Sequence, residues 1–412
     1  MEKTSETWNG EWWMPCNEDE QPLKFSGTLT CDEYEKPILK LLASTDVPHS
    51  SLLLISIQPI LYGTDTRGEK YSLFNVRILS VSASSVTYSA DYFVTGAHIK
   101  SLDDKCFIRA SVYYPNLKQW IFYNRLFAEE TDEATKLLIT NVPPANTLSV
   151  EVEDGLSWNF RSQLHAYQSE YEWHFIQDTS FGICPSQKIS LNQVFQHAIE
   201  FSQFLSVAML SKQAPSYIFL WTEDTEETHV KLLFKQERSA GVFAWHRLIR
   251  AYELQEKMPT ILKQWHTIYE RIAPICTYLI NSLEGKDNFG APDFLIVAQA
   301  LDGYSKRFFN DDTKKKHLPY KEKIEKLLKC FEKIDIVKAC KIQPKVLADT
   351  RNQYSHLALD GEEECAVSSQ KELRELTTKA QILHICCLLN SMGLNDEEIN
   401  ACFNGTSLKN WI

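Results

Sequence analysis

The sequence predicts an α+β protein, with an antiparallel β-rich N-terminal region followed by an all-α helical bundle. Two observations carry this. From the N-terminus to about residue 188 the apolar residues alternate in short β-branched runs separated by polar breaks such as TDTRGEK, SLDDK and NVPPAN. Past that point the period switches to that of a helix, and near Gly241 it does so for good. The strand-like runs are PILKLLAS, SLLLISIQPILYG, YSLFNVRILSV, SSVTYSADYFV, CFIRASVYY, LKQWIFYNRL and TLSVEVEDGLSW. They imply a sandwich or a curled barrel without choosing between them. Next comes SLNQVFQHAIEFSQFLSVAML, a helix near 190–213 with Ser190 placed as its N-cap. Two more strands, PSYIFLWTE and THVKLLFKQE, complete a β-rich domain over residues 1–240. Residues 241–412 then read as helices. The runs are VFAWHRLIRAYELQEKMPTILKQWHTIYERIAPICTYLINSL, PDFLIVAQALDGYSKRFF, YKEKIEKLLKCFEKI, QPKVLADTRNQYSHLALD, SQKELRELTTKAQILHICCLLNSMGL and DEEINACF.

A chain of 412 residues exceeds what one hydrophobic core usually organises, which fits the two-part division. Its 44% hydrophobic and 24% charged residues exclude a disordered chain. The first residues, MEKTSETWNGEWWMPCNEDE, lack a signal-type apolar run, and SLLLISIQPILY is too short to span a membrane, so a cytoplasmic protein is expected. The eleven cysteines form no CxxC pair with matching histidines, so free thiols are expected and no metal site is predicted. His165 and His174, nine apart in strand-like sequence, read as structural residues, and Trp8, Trp12 and Trp13 read as core packing before base stacking. No GxxxxGK[ST], GxSxG or GxGxxG is present.

The net charge of −11 is unevenly spread. Between Tyr304 and Val346 thirteen Lys or Arg, including Lys314, Lys315 and Lys316, stand against six acids. That basic stretch leads directly into ADTRNQYSHLALD, residues 348–360. Pro344 suits the first helical position, and Asp360-Gly361 should end the helix. At about 100° per residue, Val346, Leu347, Thr350, Tyr354, Leu357 and Ala358 share an arc of about 120° facing the core. Asn352 and His356 project from the opposite side, and Arg351 stands on the flank, about 140° from His356. Ala348 and Leu359 lie near the polar side, which implies that something other than water covers part of that face.

Arginine, asparagine and histidine together suit RNA cleavage without a cofactor, because RNA carries its own nucleophile in the 2′-hydroxyl. That hydroxyl must lose a proton, the leaving 5′-oxygen must gain one, and negative charge on phosphorus must be stabilised. Histidine titrates near neutrality, arginine offers a planar donor fork for phosphate, and asparagine orients either group. One histidine does not readily serve both proton transfers, whereas two copies across a two-fold axis supply a pair.

The string Arg351-Asn352-Gln353-Tyr354-Ser355-His356 resembles the RNxxxH signature of HEPN domains. Together with FLIVAQALDGYSKR and SMGLNDEEI it is similar to the HEPN module of ApeA-like anti-phage proteins, and GEWWMP followed by FSGTLTCDE is similar to the opening of their β-rich domain. The resemblance implies a HEPN-like bundle at 241–412 with Arg351, Asn352 and His356 in the catalytic positions. It further implies Asp302 at a place where family members often carry glutamate, and Tyr354 in a supporting place. By the same likeness the chain is a metal-independent endoribonuclease acting in abortive infection, its site shared across a homodimer interface. RNA, with tRNA among the candidates, would be the substrate and Lys314, Lys315 and Lys316 would guide it by charge; a phage-derived trigger is expected, with no cofactor and no membrane. The N-terminal domain would sense that trigger or restrain the bundle. Two other readings stand beside it: a non-catalytic HEPN protein binding RNA, nucleotide or a partner, and a β scaffold with a helical oligomerisation module.

Overall fold

A computed structural model describes residues 6–16, 21–32, 34–43, 57–121, 125–131, 134–140, 146–168, 173–223, 230–235, 247–283, 290–309, 318–356, 367, 369–404 and 406. The N-terminal strands β1 (Glu6–Trp13), β2 (Phe25–Cys31), β3 (Ile38–Leu42), β4 (Ile57–Asp65), β5 (Lys70–Val81) and β6 (Ser85–Ser89) form a ring. Each pairs antiparallel with the next in the order β5, β4, β1, β2, β3, β6, and β6 returns to the far half of β5. The alternative left open by the sequence thus resolves to a closed barrel. Its interior is a separate apolar cluster that includes Trp12, Phe25, Leu29, Leu39, Leu41, Leu61, Tyr71 and Val86. Gly63 stands opposite Trp12 in the β1–β4 register, and a Cβ there would fall 2.2 Å from the indole, so only glycine lets that ring lie flat on the strand.

The near half of β5, Tyr71 to Phe74, pairs instead with β7 (Tyr92–Thr95), and Asn75 sits where β5 changes partner with φ 53°. Asparagine is among the few side chains that tolerate that conformation. The chain continues through β8 (Arg109–Tyr113), α1 (Leu117–Ile121), the β9 (Arg125–Thr131) and β10 (Ala134–Thr140) hairpin, β11 (Asn146–Glu153), β12 (Leu156–Gln168), β13 (Trp173–Pro185), α2 (Leu191–Met209), β14 (Tyr217–Trp221) and β15 (Val230–Phe234). Beyond β7 the sheet runs β15, β14, β8, β13, β12, β11. Helix α2 starts where the sequence places it, with Ser190 and Gln193 forming a reciprocal capping box. Its Phe201 stacks on Phe181 of β13 at 4.2 Å between ring centroids.

The C-terminal part holds α3 (Met258–Leu283), α4 (Ala291–Phe308), α5 (Tyr320–Cys330), α6 (Asp335–Cys340), α7 (Pro344–His356), α8 (Gln370–Ser391) and α9 (Asp396–Asn404). The run Ile382 to Leu389 in α8 is buried on every side, which makes α8 the central helix of the bundle. Helix α3 packs on α2 and β11 of the β region and on α4 and α8 of the helical region. The chain is therefore an antiparallel β region followed by a helical region, as predicted.

Several local readings change. Residues 117–121 of the strand-like run LKQWIFYNRL are helical, with Leu117, Trp120 and Ile121 buried at a spacing of three and four. Of the helical run expected from Val242, the described residues 247–257 are not helical and α3 begins at Met258: the Leu248 and Ile249 amides donate to the Ala208 carbonyl near the end of α2, and residues 251–257 form turns. The single run SSVTYSADYFV is two strands, β6 and β7, and α6 was not anticipated. Trp12 is buried in the barrel, while Trp8 packs on Tyr71 and Phe93 and Trp13 on His98. The described cysteines are free thiols, with Cys276, Cys340, Cys386, Cys387 and Cys402 buried.

His384 lies wholly inside the bundle, neither ring nitrogen has a partner among the described residues, and burial pushes its pKa down to about 3. The folded chain keeps this ring neutral while the unfolded chain takes up a proton below about 6.5. Nothing changes above that value, and stability is lost as pH falls towards 3, by about 1.4 kcal/mol per unit. The unfolding free energy of the wild type minus that of His384→Leu should therefore drop by about 2 kcal/mol between pH 7 and pH 5 in urea titrations. A difference that does not move with pH would show that the ring titrates in the native state.

Candidate active site

Helix α7 opens with Pro344 at its first position and buries Leu347, Ala348 and Thr350. Thr350 also returns its hydroxyl to the Val346 carbonyl at 2.7 Å. Ala348, expected near the polar face, is covered by the chain itself. The expected continuation through Leu357, Ala358, Leu359 and Asp360-Gly361 lies outside the described residues, as do Lys314, Lys315 and Lys316.

Along the second half of α7 the exposure is graded. Arg351, Asn352 and Tyr354 are half-buried, whereas His356 is exposed at the last position. Arg351 donates through Nη1 to Asn352 Oδ1 at 3.2 Å, which orients the two polar groups against each other. Its guanidinium lies over the Tyr320 ring at 5.5 Å from the centroid, a cation–π contact that braces the arginine against α5. Tyr354 turns the other way, edge-on to Phe294 of α4 with centroids 6.3 Å apart, and so belongs with the packing residues.

Tyr320 joins this motif to α4. Its hydroxyl donates to the Ala298 carbonyl at 3.1 Å. Burial pushes its phenol well up, the Asp302 charge adds to this, and the Arg351 charge works against it. Asp302 therefore stands within electrostatic reach of the same ring as Arg351. Its oxygens are committed elsewhere: Lys323 Nζ donates to Oδ1 at 2.6 Å and Lys306 lies 2.6 Å from Oδ2. Burial opposes ionisation of Asp302, but those two ammonium groups outweigh it and hold the carboxyl below its usual value. An acid so placed is a poor proton acceptor near neutrality, and its observable work is to neutralise Lys323, whose side chain is only 8% exposed. Sequence reasoning singled out Asp302 but missed Tyr320, Lys306 and Lys323 as its partners. Lys306 follows at the i+4 spacing that could have signalled the pair.

With the fold and this constellation in view, the family follows. Residues 7–265, more than half of the chain, match the ApeA N-terminal domain 1, and residues 295–398 match the Apea-like HEPN domain. The chain belongs to the ApeA family. The HEPN match spans Asp302, Arg351, Asn352, Tyr354 and His356, and the ApeA match extends into α3. An ApeA-like HEPN domain points to an anti-phage HEPN nuclease family; HEPN domains are generally ribonucleases that dimerise and bind RNA. Searches of curated proteins and of solved structures give no match. Among the described residues of this ApeA-family chain no helix is long and apolar enough to cross a membrane.

Removing the carboxylate in Asp302→Asn leaves Lys323 buried beside one neutral amide, and the chain should lose about 2–4 kcal/mol of stability. Adding Lys323→Met should recover a large part of that loss, because the orphaned charge goes with it. The wild-type contribution is present above the ordinary carboxylate range and fades as acid protonates Asp302, so the variant gap should close at low pH. Urea unfolding of the single and double variants decides it: an additive double variant would show that the two groups do not interact.

Proposed function

We propose that the ApeA-like HEPN domain is a metal-independent endoribonuclease whose active site is completed across a homodimer, with Arg351, Asn352 and His356 as its working residues. The observation that carries this reading is the graded exposure of α7, where a braced Arg351–Asn352 pair is followed one turn later by a solvent-facing imidazole. In the proposed reaction the 2′-oxygen of RNA attacks the adjacent phosphorus and the bond from phosphorus to the 5′-oxygen breaks. A base takes the 2′-hydroxyl proton and an acid delivers one to the departing 5′-oxygen, leaving a 2′,3′-cyclic phosphate and a 5′-hydroxyl. His356 and the partner copy's identical histidine would share these two transfers. The guanidinium of Arg351 would balance charge on the phosphoryl oxygens, and Asn352 would hold that guanidinium in register.

The basic run from Lys306 to Lys345 supports RNA as the substrate class, tRNA among the candidates. Lys326, Lys329 and Lys333 are exposed on and just beyond α5, beside the helix that braces Arg351. In the cell such an activity would serve abortive infection in the cytoplasm, with the β-rich domain answering a phage-derived trigger or holding the bundle in check until it arrives.

Purified wild-type protein should cut bacterial RNA, with phage extract added where the resting enzyme is silent, and leave cyclic or 3′-phosphate ends. His356→Ala should fold normally, since its side chain is exposed, and lose about 10³-fold or more of that activity. Products from the variant at the wild-type rate, or 3′-hydroxyl ends, would remove His356 from the mechanism. Silence of both proteins with tight RNA binding would favour a sequestering HEPN protein instead.

RNA affinity of the His356→Ala protein should fall steeply with salt, and replacing Lys314, Lys315 and Lys316 by Ala should make the logarithmic slope shallower by about 2. Fluorescence anisotropy at several salt concentrations measures this, and an unchanged slope would take those three lysines out of the RNA path.

A further inference from the structure

Far along the chain from the RNxxxH motif, α2 and α3 bring three chemistry-bearing side chains together. His197 and Glu200 are one turn apart on α2, and His266 faces them from α3; one ligand atom from each lies within 4.8 Å of the others. Glu200 is buried, with its side chain 5% exposed, and the two imidazoles are 14% and 15% exposed. Oε1 of Glu200 meets His266 Nδ1 at 2.8 Å, while Oε2 faces His197 Nδ1 at 3.6 Å. That second gap is too long for a hydrogen bond, and His197 Nδ1 is buried with no partner among the described residues.

The spacing suits an ion. Ligand atoms about 2.0–2.1 Å from a tetrahedral zinc stand about 3.3 Å apart; the Glu200 oxygens lie 2.8 and 3.6 Å from the two imidazole nitrogens, either side of that value, and the whole set lies within 4.8 Å. The opposite nitrogen of His266, Nε2, points to Glu153 Oε2 at 3.6 Å, at the end of β11. A carboxylate that closes on the outer nitrogen of a ligating histidine would fix its tautomer and raise its basicity, and Glu153 stands just beyond hydrogen-bond reach for that role. Trp158 closes one side, its ring edge-on to both imidazoles with centroids 6.4 and 5.5 Å away, and the exposed Glu153 marks the route to solvent. Two imidazoles and a carboxylate are nitrogen and oxygen donors of borderline softness, the set that zinc takes with a fourth position left for water.

We propose that His197, Glu200 and His266 bind one divalent transition-metal cation of the zinc class, with Glu153 as the outer partner of His266. The ion staples α2 of the ApeA domain to α3, whose residue His266 lies one position past the end of the matched domain at 265. It takes no part in RNA chemistry, which is placed on other helices. The cluster contains no cysteine and Glu200 and His266 are separated by 66 residues, so cysteine spacing does not reveal it.

The full-length chain, stripped with EDTA and desalted, should take up one Co²⁺ per chain with visible absorption of tetrahedral intensity and no thiolate band in the near ultraviolet. Zn²⁺ should displace the colour and raise the melting temperature. His197→Gln and His266→Gln should each abolish stoichiometric uptake while His356→Ala keeps it, and Glu153→Gln should weaken it about 10–100-fold. No uptake by the wild type, uptake retained in both histidine variants, or a thiolate band would overturn the site. If His266→Gln fails to fold, the wild-type stoichiometry and His197→Gln still decide, and neither readout depends on nuclease activity.

Discussion

Helix α3 cannot cover its own apolar surface, and the rest of the molecule is arranged around that fact. Met258, Ile261, Leu262, Trp265, Ile272, Cys276 and Leu279 are all buried along one apolar stripe that runs most of the helix's length, and several elements share in covering it. The sheet edge at β11 and the helices α2, α4 and α8 all pack against it. One continuous apolar cluster consequently runs from Phe74, Trp158 and Phe181 in the β region to Leu301, Leu383 and Phe403 in the bundle. A β region and a helical region joined through such a core share their stability, so a disturbance at the sheet end of α3 is felt by the helices that carry Asp302 and Arg351. The barrel stands apart, with its own interior centred on Trp12 and Tyr71.

Some of this was legible in the residues alone. The N-cap at Ser190, the proline start of α7 and the alternation of β3, with Leu39 and Leu41 buried and Lys40 exposed, are local patterns and declare themselves. Leu117 to Ile121 misled because an apolar run of five residues suits a strand or a helix turn equally, and the choice fell to its packing under Phe160, Phe201 and Phe204. Barrel closure was not legible, since it rests on β5 dividing its length between β7 and β6 around Asn75, and no local pattern states the partner of a strand.

The candidate site divides in the same way. RNQYSH is a contiguous string, and its helical register followed from counting. What holds it is scattered: Tyr320 comes from α5, Ala298 and Asp302 from α4, and their meeting depends on how three helices cross. Asp302 shows why residue type is a weaker guide than environment. Read alone it is an acid awaiting a task, but paired with Lys306 and Lys323 its charge is already spent within the fold.

The burial gradient along α7 is where structure and the proposed chemistry meet. A guanidinium that balances charge must be held in place before the substrate arrives, because reorganisation at the moment of reaction would erode its effect. Tyr320 and Asn352 provide that hold for Arg351. An imidazole that exchanges protons has the opposite need: it must reach solvent or substrate, and burial as deep as that of His384 would suppress its charge. Placing His356 at the exposed end of α7, one turn beyond the braced pair, meets both needs on one helix. It also leaves a single chain with one proton-transfer group where two are required, so on the proposed reading the dimer is a requirement of the chemistry.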